Sequence, residues 1–366
     1  MRVLHIINNL AIGGAEVLLN SMIPYFNVRE INISVFVFQS VNSELEKNVQ
    51  RNSVLFHSGE NNLYSFKQIF SVSKCLREGD YDLVHVHLFP AQLWTGLAGL
   101  LTGISVPIIT TEHNTYNRRR KMIYKPLDYW MYSRYGKIVC NSKASAVELT
   151  SWLPGVKEKI EVIPNGIDIR YFLEAQSYDL RQELGLPKES FLILSTGRLE
   201  PQKDFMTLLK AVQAIKTKAY LIIAGEGSLK NSLVKYSQEL GLQNRVFFLG
   251  NRTDVYRIIK SVDLYVQSSN WEGFGIAALE AMAGGLPVIA SNVPGLSEVV
   301  GEAAIKFEKG NAEELADYIN KIRGNKKLAD NVAKNCFNRA QEFSVERTVD
   351  KYVVLYKDLV HRNKKV

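Results

Sequence analysis

The chain has 366 residues, a formal net charge of +8 and a hydrophobic content of 46%. That length predicts about two domains, and the hydrophobic content is enough to fill two ordinary cores. No run of 18 or more apolar residues occurs in the sequence, which argues against a membrane-spanning helix.

The cysteines and the N-terminal segment indicate a reducing compartment. Cys75, Cys140 and Cys336 are widely scattered, so they match neither a disulfide framework nor a zinc site. The first ten residues contain one basic residue and an apolar segment too short for a signal peptide. We therefore expect a cytoplasmic protein.

The first half of the chain alternates predicted strands and helices, which is typical of a doubly wound α/β domain. The predicted strands are Val3–Ile7, Ile33–Phe38, Val54–His57, Leu83–His87, Pro107–His113, Lys137–Ser142 and Glu161–Ile163. Helices are predicted up to about Tyr25 and at Phe66–Arg77, Ala91–Leu101 and Lys143–Trp152. Gly13 and Gly14 precede the first helix, where a glycine turn is either purely structural or admits a phosphate or sugar.

A second doubly wound domain follows the Asn165-Gly166 turn, so we assign residues 1–168 to a first domain, 169–188 to a linker and 189–344 to the second. Its predicted strands are Phe191–Thr196, Tyr220–Ala224, Val246–Leu249, Leu264–Gln267, Val288–Ser291 and Ala304–Phe307. Its predicted helices are Phe205–Ile215, Leu229–Leu240, Val255–Lys260 and Ala312–Ile322. Two last helices, about Lys327–Phe343 and Val345–His361, have no strand after them.

A strand–loop–helix–strand unit at Ser268–Val300 carries two glutamates, Glu272 in the loop and Glu280 in the helix that starts near Ile276. Eight helical positions span roughly 12 Å, so the two carboxylates would hold different parts of one extended ligand. The helix N-terminus between them favours an anion, and the glycines of the Glu272-Gly273-Phe274-Gly275 loop allow a close approach. A nucleotide-sugar fits this pattern; two solvated glutamates are the alternative.

Two cations follow the first strand of the second domain. Arg198 and Lys203 lie after Phe191–Thr196, at the carboxyl edge where open α/β sheets bind ligands. Two cations facing one cleft suit a diphosphate, which an arginine binds through two hydrogen bonds and a lysine as a point charge. Solvated loop charges are the alternative.

The first domain contributes histidines. His113 ends a strand, in a position that is structural as often as catalytic. His85 and His87 share one face of their strand and form a possible metal pair. No acidic cluster or third ligand is evident, so we predict no metal site.

The segment Asn117–Lys143 holds eight Lys or Arg against one Asp, a net charge of +7. Its basic side chains alternate with tyrosines and a tryptophan, which suits an anionic membrane surface. Nucleic acid would also suit, but no nucleic-acid motif accompanies the segment. An ordinary solvated helix face is the alternative. The residues assigned to the membrane or acceptor side are Arg118, Arg119, Arg120, Lys121 and Trp130.

Taken together, these motifs resemble those of the retaining glycosyltransferases of family four. The shared patterns are G-G-A-E at residues 13–16, T-x-H at 111–113, N-G-x-D at 165–168, G-R-L-x-x-x-K-D at 197–204, and E-G-F-G followed by a second glutamate and G-x-P-V at 272–288. The resemblance covers nearly the whole chain. It implies the GT-B architecture: two doubly wound Rossmann-like α/β domains facing a central cleft, with residues 345–366 crossing back onto the first.

The resemblance also implies residue roles. Arg198 and Lys203 would hold the donor pyrophosphate, Glu280 the ribose, and Glu272 the sugar hydroxyls together with the backbone at Phe274 and Gly275. His113 would lie beside the transferred sugar. The residues implied to be catalytic are His113, Glu272, Arg198 and Lys203. The remaining donor-site residues are Gly13, Gly14, Gly250, Asn251, Arg252, Gly273 and Ile276, of which 250–252 would shape the nucleobase pocket.

By this resemblance the chain would be a retaining, metal-independent glycosyltransferase without a cofactor, using a UDP-sugar or else a GDP-sugar. The acceptor would be a glycan or a polyprenyl-linked intermediate of bacterial-type surface polysaccharide, reached from the inner face of the membrane. A transferase with a soluble acceptor is the first alternative. A dehydrogenase or epimerase is disfavoured because G-x-G-x-x-G is missing. A non-catalytic nucleotide-sugar-binding protein is the third.

Overall fold

The structure is a computed structural model that describes residues 1–11, 13–113, 117, 119–215 and 218–364. It divides into two units, Met1–Gly166 with Val345–Val366, and Ile167–Ser344. No helix in the described ranges is long and apolar enough to cross a membrane.

The first unit is built on a seven-stranded parallel sheet with the order β3-β2-β1-β4-β5-β6-β7. These strands are β1 (Arg2–Ile7), β2 (Asn32–Val37), β3 (Val54–His57), β4 (Leu83–His87), β5 (Ile108–Glu112), β6 (Lys137–Cys140) and β7 (Ile160–Val162). The helices are α1 (Gly14–Val28), α2 (Glu44–Asn52), α3 (Gln68–Glu78), α4 (Ala91–Thr102), α5 (Lys125–Ser133) and α6 (Lys143–Trp152), with short 3-10 helices at Met122–Tyr124 and Pro154–Lys159.

Both faces of this sheet are covered, which explains the continuous apolar strands. Along β1, Val3 and Ile7 face one buried layer and Leu4 and Ile6 face the other. The C-terminal helix, Val345–Asn363, covers the first face beside α1 and buries residues at intervals of three and four. Its Thr348 hydroxyl donates to the carbonyl of Pro164 over 3.0 Å.

The second unit has a six-stranded parallel sheet with the order β10-β9-β8-β11-β12-β13. Its strands are β8 (Phe191–Thr196), β9 (Ala219–Ala224), β10 (Val246–Gly250), β11 (Leu264–Gln267), β12 (Val288–Ser291) and β13 (Ile305–Phe307). The helices are α7 (Ile169–Leu173), α8 (Leu180–Glu183), α9 (Phe205–Ala214), α10 (Lys230–Glu239), α11 (Val255–Ile259), α12 (Ile276–Ala283), α13 (Leu296–Val300), α14 (Ala312–Gly324) and α15 (Lys326–Ala340), with 3-10 turns at Pro201–Lys203 and Gln341–Phe343.

Residues 169–188, predicted to be a linker, belong to this second unit. They contain the short helices α7 and α8, and Ile169, Phe172 and Leu180 are buried in its core. The polar composition between these three residues suggested a linker, whereas the three apolar side chains are enough to attach the segment to the unit.

Candidate active site

The second sheet reverses its strand order between β8 and β11. Loops that follow neighbouring strands at such a switch point diverge and leave a crevice at the carboxyl edge. The loop carrying Arg198 and Lys203 follows β8, and the loop carrying Glu272 follows β11. The fold therefore brings the predicted cations and the first predicted carboxylate to the same crevice of one unit.

Lys203 and Glu272 are in direct contact. The Lys203 ammonium lies 2.6 Å from Glu272 Oε1, and the two side chains are only 15% and 8% exposed. The same oxygen accepts hydrogen bonds from Gln267 Nε2 over 2.8 Å and from the Ser269 hydroxyl over 2.7 Å. Three donors thus fix one carboxylate oxygen, which is the arrangement that a poorly solvated carboxylate requires. The sequence analysis missed Gln267 and Ser269, although both are polar residues at the end of a buried strand.

The two loops are also joined by hydrogen bonds to backbone carbonyls. Asn270 N–H donates to the Gln202 carbonyl over 2.7 Å, and the Ser268 hydroxyl donates to the Asp204 carbonyl over 2.9 Å. Asp204 adopts a left-handed conformation and accepts a hydrogen bond from Thr207 N–H at the start of α9. These contacts hold the Lys203 turn at a fixed distance from Glu272.

Glycine is required at two positions around Glu272. Gly275 has φ +101° at the start of α12, and a Cβ there would lie 2.7 Å from a methyl group of Leu296. At Gly295, with φ +82°, a Cβ would lie 2.3 Å from the Glu272 carbonyl. Both positions are strained for any other residue. Phe274 is buried and packs edge-on to Phe343, so only its backbone can serve a ligand.

Glu280 lies on α12, as predicted, and is partly buried. Burial raises its pKa to about 7, while the Lys203 charge acts in the opposite direction. Glu280 has neither a hydrogen bond nor an ion pair with another described residue, so its oxygens can accept hydrogen bonds from hydroxyl groups of a ligand. Gly273 and Ile276 lie on the same loop and helix start.

An aromatic pair beside Glu280 escaped the sequence analysis. Tyr171 on α7 and Tyr256 on α11 pack with ring centroids 4.4 Å apart, and Tyr171 is half exposed. Burial and the Tyr256 hydroxyl raise the pKa of Tyr171 to about 12, and the Glu280 carboxylate contributes to this shift. The misassigned linker hid this pair, since Tyr171 lies in it.

The two predicted donor-site arginines differ. Arg198 is exposed and has no hydrogen bond or ion pair with another described residue. Arg252 binds both oxygens of Asp254 at 2.7 Å and also reaches Tyr178 Oη at 3.1 Å. Its hydrogen bonds to Asp254 raise the pKa of Arg252. The Arg252 guanidinium is thus occupied within the protein, which leaves mainly the backbone of residues 250–252 for a nucleobase; within that stretch Asn251 is exposed and Gly250 has φ +67°.

The first unit gathers histidines at its own switch point, between β1 and β4. His113 follows β5, and its Nε2 lies 3.3 Å from His87 Nδ1. His87 Nε2 lies 2.9 Å from Nδ1 of His5, which the sequence analysis did not single out. Burial lowers the pKa of His113 to about 4 and that of His5 to about 3. Gly13 and Gly14 are at the start of α1, after β1.

The argument that no third metal ligand accompanies His85 and His87 was wrong. Ring nitrogens of His5, His85 and His87 lie within 4.8 Å of one another. However, His85 Nδ1 pairs with the Tyr356 hydroxyl at 2.6 Å and its Nε2 with the Thr111 hydroxyl at 2.7 Å. Hydrogen bonds therefore occupy both nitrogens of His85, as they do both nitrogens of His87.

The basic segment is less exposed than its sequence indicated. Arg119 pairs with Asp128 at 2.9 Å and lies 3.7 Å above the ring of Phe89, and Arg120 lies 3.6 Å from Glu148. The two arginine side chains are only 18% and 13% exposed, because acidic residues and an aromatic ring draw them inward. Arg118 lies outside the described residues. Lys121 is exposed, and Trp130 is partly buried.

Large apolar side chains are exposed next to these arginines. Met122 is 72% exposed and Ile123 is 80% exposed. Tyr124, Leu127 and Tyr129 are exposed as well. We call these five residues the apolar patch. In its described part, the predicted basic surface therefore combines the apolar patch with three exposed basic residues, Lys121, Arg134 and Lys143.

Two family models match this chain. The model described as glycosyl transferases group 1 matches residues 177–339, and the one described as glycosyltransferase family 4 matches residues 12–171. The family 4 match covers most of the first sheet, including His85, His87 and His113 but not His5. The group 1 match covers the crevice with Lys203 and Glu272.

Similar curated proteins include two from Escherichia coli. The enzyme UDP-Gal:alpha-D-GlcNAc-diphosphoundecaprenol alpha-1,3-galactosyltransferase is 30% identical to this chain over 309 residues, which is 80% of each chain. The O-antigen biosynthesis glycosyltransferase WclY is 26% identical over 289 residues, 76% of this chain and 80% of its own.

Solved structures share the fold. HepE of Anabaena, in complex with UDP and glucose, matches with a TM-score of 0.85 at 24% identity over 98% of this chain and 100% of its own. WaaG, a glycosyltransferase involved in lipopolysaccharide biosynthesis, matches with a TM-score of 0.76 at 16% identity over 97% of this chain and 99% of its own. The two parallel-sheet, Rossmann-like units thus have the fold of these proteins.

Proposed function

We propose, from the premise that this chain belongs to the glycosyltransferases of group 1 and family 4, that it is a retaining enzyme using a nucleotide-diphosphate sugar. The donor is a UDP-sugar in preference to a GDP-sugar. The acceptor is a lipid-linked glycan intermediate of surface polysaccharide synthesis.

One observation carries the proposal: the charged side chains at the β8–β11 switch point are arranged for a ligand with a diphosphate between two groups of hydroxyls. Lys203 is held by Glu272, and Arg198 is exposed in the same loop that follows β8. Glu280 presents a carboxyl group without a described partner on the adjacent helix. A nucleotide-sugar would place its diphosphate near the two cations, its ribose at Glu280 and its sugar at Glu272.

In this assignment the chain's residues stabilise the departing nucleoside diphosphate. The negative charge on the leaving phosphate grows as the bond to the sugar breaks, and fixed cations close to it lower the barrier. Lys203 has three N–H donors, so it can hold Glu272 and a phosphate oxygen at once. We propose that these two cations serve in place of a divalent ion, so that transfer needs no metal.

The choice of donor and acceptor rests on the similar E. coli galactosyltransferase, whose name gives UDP-Gal and a diphosphoundecaprenol-linked GlcNAc. An acceptor of that class is held in a membrane. We propose that the first unit meets the inner face of the cytoplasmic membrane through the apolar patch, with Lys121 contacting anionic headgroups. The pairing of Arg119 and Arg120 within the unit supports a larger role for the apolar side chains than for charge.

The test is a transfer assay with UDP-galactose, UDP-glucose, UDP-GlcNAc and GDP-mannose, each offered with a synthetic polyprenyl-diphosphate-linked GlcNAc. We expect that the enzyme uses one UDP-sugar and that its activity is unchanged in excess EDTA. NMR should show the same anomeric configuration in the product as in the donor. Transfer only to soluble sugars would show that the acceptor is a soluble sugar and not a lipid-linked one. Nucleotide-sugar binding without hydrolysis or transfer to any acceptor would contradict catalysis. Inversion of the anomeric centre would contradict the retaining mechanism. Dependence on Mg²⁺ or Mn²⁺ would contradict metal-independent transfer.

A further inference from the structure

Three imidazoles of the first unit form a continuous hydrogen-bonded chain. It runs from His113 at the carboxyl edge through His87 on β4 to His5 on β1. The contacts are His113 Nε2 to His87 Nδ1 at 3.3 Å, and His87 Nε2 to His5 Nδ1 at 2.9 Å. His5 and His87 are buried, and the last nitrogen, His5 Nε2, has no hydrogen-bond partner in the described structure. The chain therefore has one open end inside the core.

A hydrogen-bonded chain explains this cluster better than a metal site does. The 2.9 Å separation of His5 Nδ1 and His87 Nε2 is a hydrogen-bond distance. His85, the third member of the close group, uses its two nitrogens for Tyr356 and Thr111. A bound ion would have to break several of these contacts. Among the described residues, five of the six ring nitrogens of His5, His85 and His87 have a hydrogen-bond partner, and His5 Nε2 has none.

The open end decides the direction of the chain. If His113 donated to His87 and His87 to His5, then His5 Nε2 would carry a buried proton with no acceptor. A buried N–H without an acceptor is rarer in proteins than an acceptor left without a donor. The rings of Phe26 and Tyr356 have centroids 5.9 and 6.4 Å from that of His5 and would be weak acceptors at best. The favoured direction is therefore from His5 Nδ1–H to His87 Nε2, and from His87 Nδ1–H to His113 Nε2.

We infer that His5 and His87 are positioning residues that hold His113 as the neutral imidazole with its proton on Nδ1. The Nε2 lone pair of His113 is then occupied by His87, and Nδ1 carries an N–H. In that form His113 donates a hydrogen bond to an oxygen of its ligand and cannot accept a proton at Nδ1.

The surroundings agree with a neutral cluster. Burial lowers the pKa of every member of the chain, and the neighbouring imidazoles lower those of His85 and His87 further. Tyr352 and Tyr356 of the C-terminal helix face the same cluster, and burial raises the pKa of Tyr352 to about 12, so both hydroxyls stay protonated. This inference rests on the proposed function only for the identity of the ligand, a sugar oxygen of donor or acceptor.

The experiment is long-range ¹H–¹⁵N NMR on the full chain labelled at its six histidines, at pH 7.5 and without nucleotide. Ring-nitrogen shifts distinguish an N–H nitrogen from a bare one, and a His113→Gln variant assigns the His113 signals. We expect His113 in a single form with the proton on Nδ1, and the same for His87 and His5. A proton on His113 Nε2 in the native chain would overturn the inference.

Two variants of His5 test the positioning. His5→Phe removes the first donor, so His87 and His113 should become mixtures of both tautomers. His5→Asn places an amide N–H close to the former Nδ1 position, so it should restore the single form. Unchanged spectra of His87 and His113 in His5→Phe would show that His5 does not set their tautomers. Equimolar Zn²⁺ should leave the signals unchanged. If the signals of His5, His85 and His87 shift together, the cluster is a metal site and not a chain of hydrogen-bonded imidazoles.

The native spectrum does not depend on either variant being folded, and melting temperatures report on that point separately. No substrate enters these measurements. A failed tautomer prediction therefore leaves the transfer reaction untouched, and an absence of transfer leaves the tautomer result standing.

Discussion

The carboxyl edges of the two sheets hold titratable side chains in different ways. In the second unit, Lys203 and Glu272 remain a charged pair at 2.6 Å, with Gln267 and Ser269 also donating to the carboxylate. In the first unit, His5, His85, His87 and His113 are packed together, and burial depresses their pKa values. Both edges are switch points of a doubly wound sheet.

The difference follows from what each side chain can do when water is removed. A histidine gives up its proton near pH 6.5, so burial removes its charge at small cost. A lysine would have to be shifted by several pKa units, so burial instead requires a counter-ion and hydrogen bonds. The second unit thereby keeps charged side chains at its carboxyl edge, whereas the first holds neutral imidazoles there.

The largest effect should come from breaking the charged pair. Glu272→Ala leaves the Lys203 ammonium poorly solvated and unpaired, and we expect the second unit to lose about 3–5 kcal/mol in its free energy of unfolding, together with sugar transfer. Urea denaturation and the transfer assay measure the two losses. The double variant Lys203→Met with Glu272→Leu should regain most of the stability without the activity.

A matched control is the Glu226–Lys230 pair of the same unit, at 2.5 Å but well exposed. Because exposed pairs contribute little, Glu226→Ala should cost less than about 1 kcal/mol. Equal losses in Glu226→Ala and Glu272→Ala would mean that burial does not set the strength of the Lys203–Glu272 contact.

The next effect concerns Arg198, an exposed crevice residue without a hydrogen bond or ion pair to another described residue. Arg198→Ala should weaken UDP binding by about 1.5–3 kcal/mol, the range for hydrogen bonds to charged groups, with little change in stability. Isothermal titration calorimetry measures the affinity. Lys235→Ala, an exposed change of equal charge on α10, is the control. Equal affinities of both variants would remove Arg198 from the diphosphate site.

The sequence was sufficient to predict those features of the fold and the site that depend on neighbouring residues in the chain. Continuous apolar runs predicted the strands of both sheets, and the loop after each strand gave the positions of Lys203 and Glu272. The contacts within those loops were not predictable, because Gln267 and Ser269 could equally well have pointed to solvent. The helix α2 was missed because Glu44–Asn52 is short and mostly polar.

Long-range pairing accounts for the other errors. His5 and His85 are direct register partners in β1 and β4, so strand order decides whether a third histidine is present. The order 3-2-1-4 common in doubly wound sheets would have revealed His5. Arg119 and Asp128 are nine residues apart, and a turn that folds back over Phe89 joins them, which composition cannot show.

Within the crevice, the carboxyl group of Glu280 has no described partner, whereas that of Glu272 is paired with Lys203. A pH experiment tests this difference. The pKa of Glu280 is raised to about 7 from an ordinary value near 4.5, so between these values the folded state binds more protons than the unfolded state. Stability contributed by protonated Glu280 is thus present below pH 4.5 and is lost as pH rises through 7. Relative to Glu280→Gln, the native protein should lose roughly 1–3 kcal/mol between pH 5 and 8, at about 1.4 kcal/mol per pKa unit. Parallel unfolding curves of the two proteins across this range would show that Glu280 is solvated.

The smallest effect extends the comparison to the surface of the first unit, where Arg119 and Arg120 are paired with acidic residues. If membrane contact is made by the apolar patch, Ile123→Ser should weaken partitioning onto anionic vesicles by about 1–2 kcal/mol, because the side chain would otherwise leave water. Val28→Ser, a change at an equally exposed apolar residue at the end of α1, should have no effect. Lys121→Ser should cost about 1 kcal/mol, and only this part should weaken with salt, since added ions screen it. Vesicle co-sedimentation at two salt concentrations separates the terms. If vesicle binding is unchanged in Ile123→Ser but is abolished by salt, the basic residues and not the apolar patch make the membrane contact. If the native protein does not bind vesicles, a soluble acceptor is favoured.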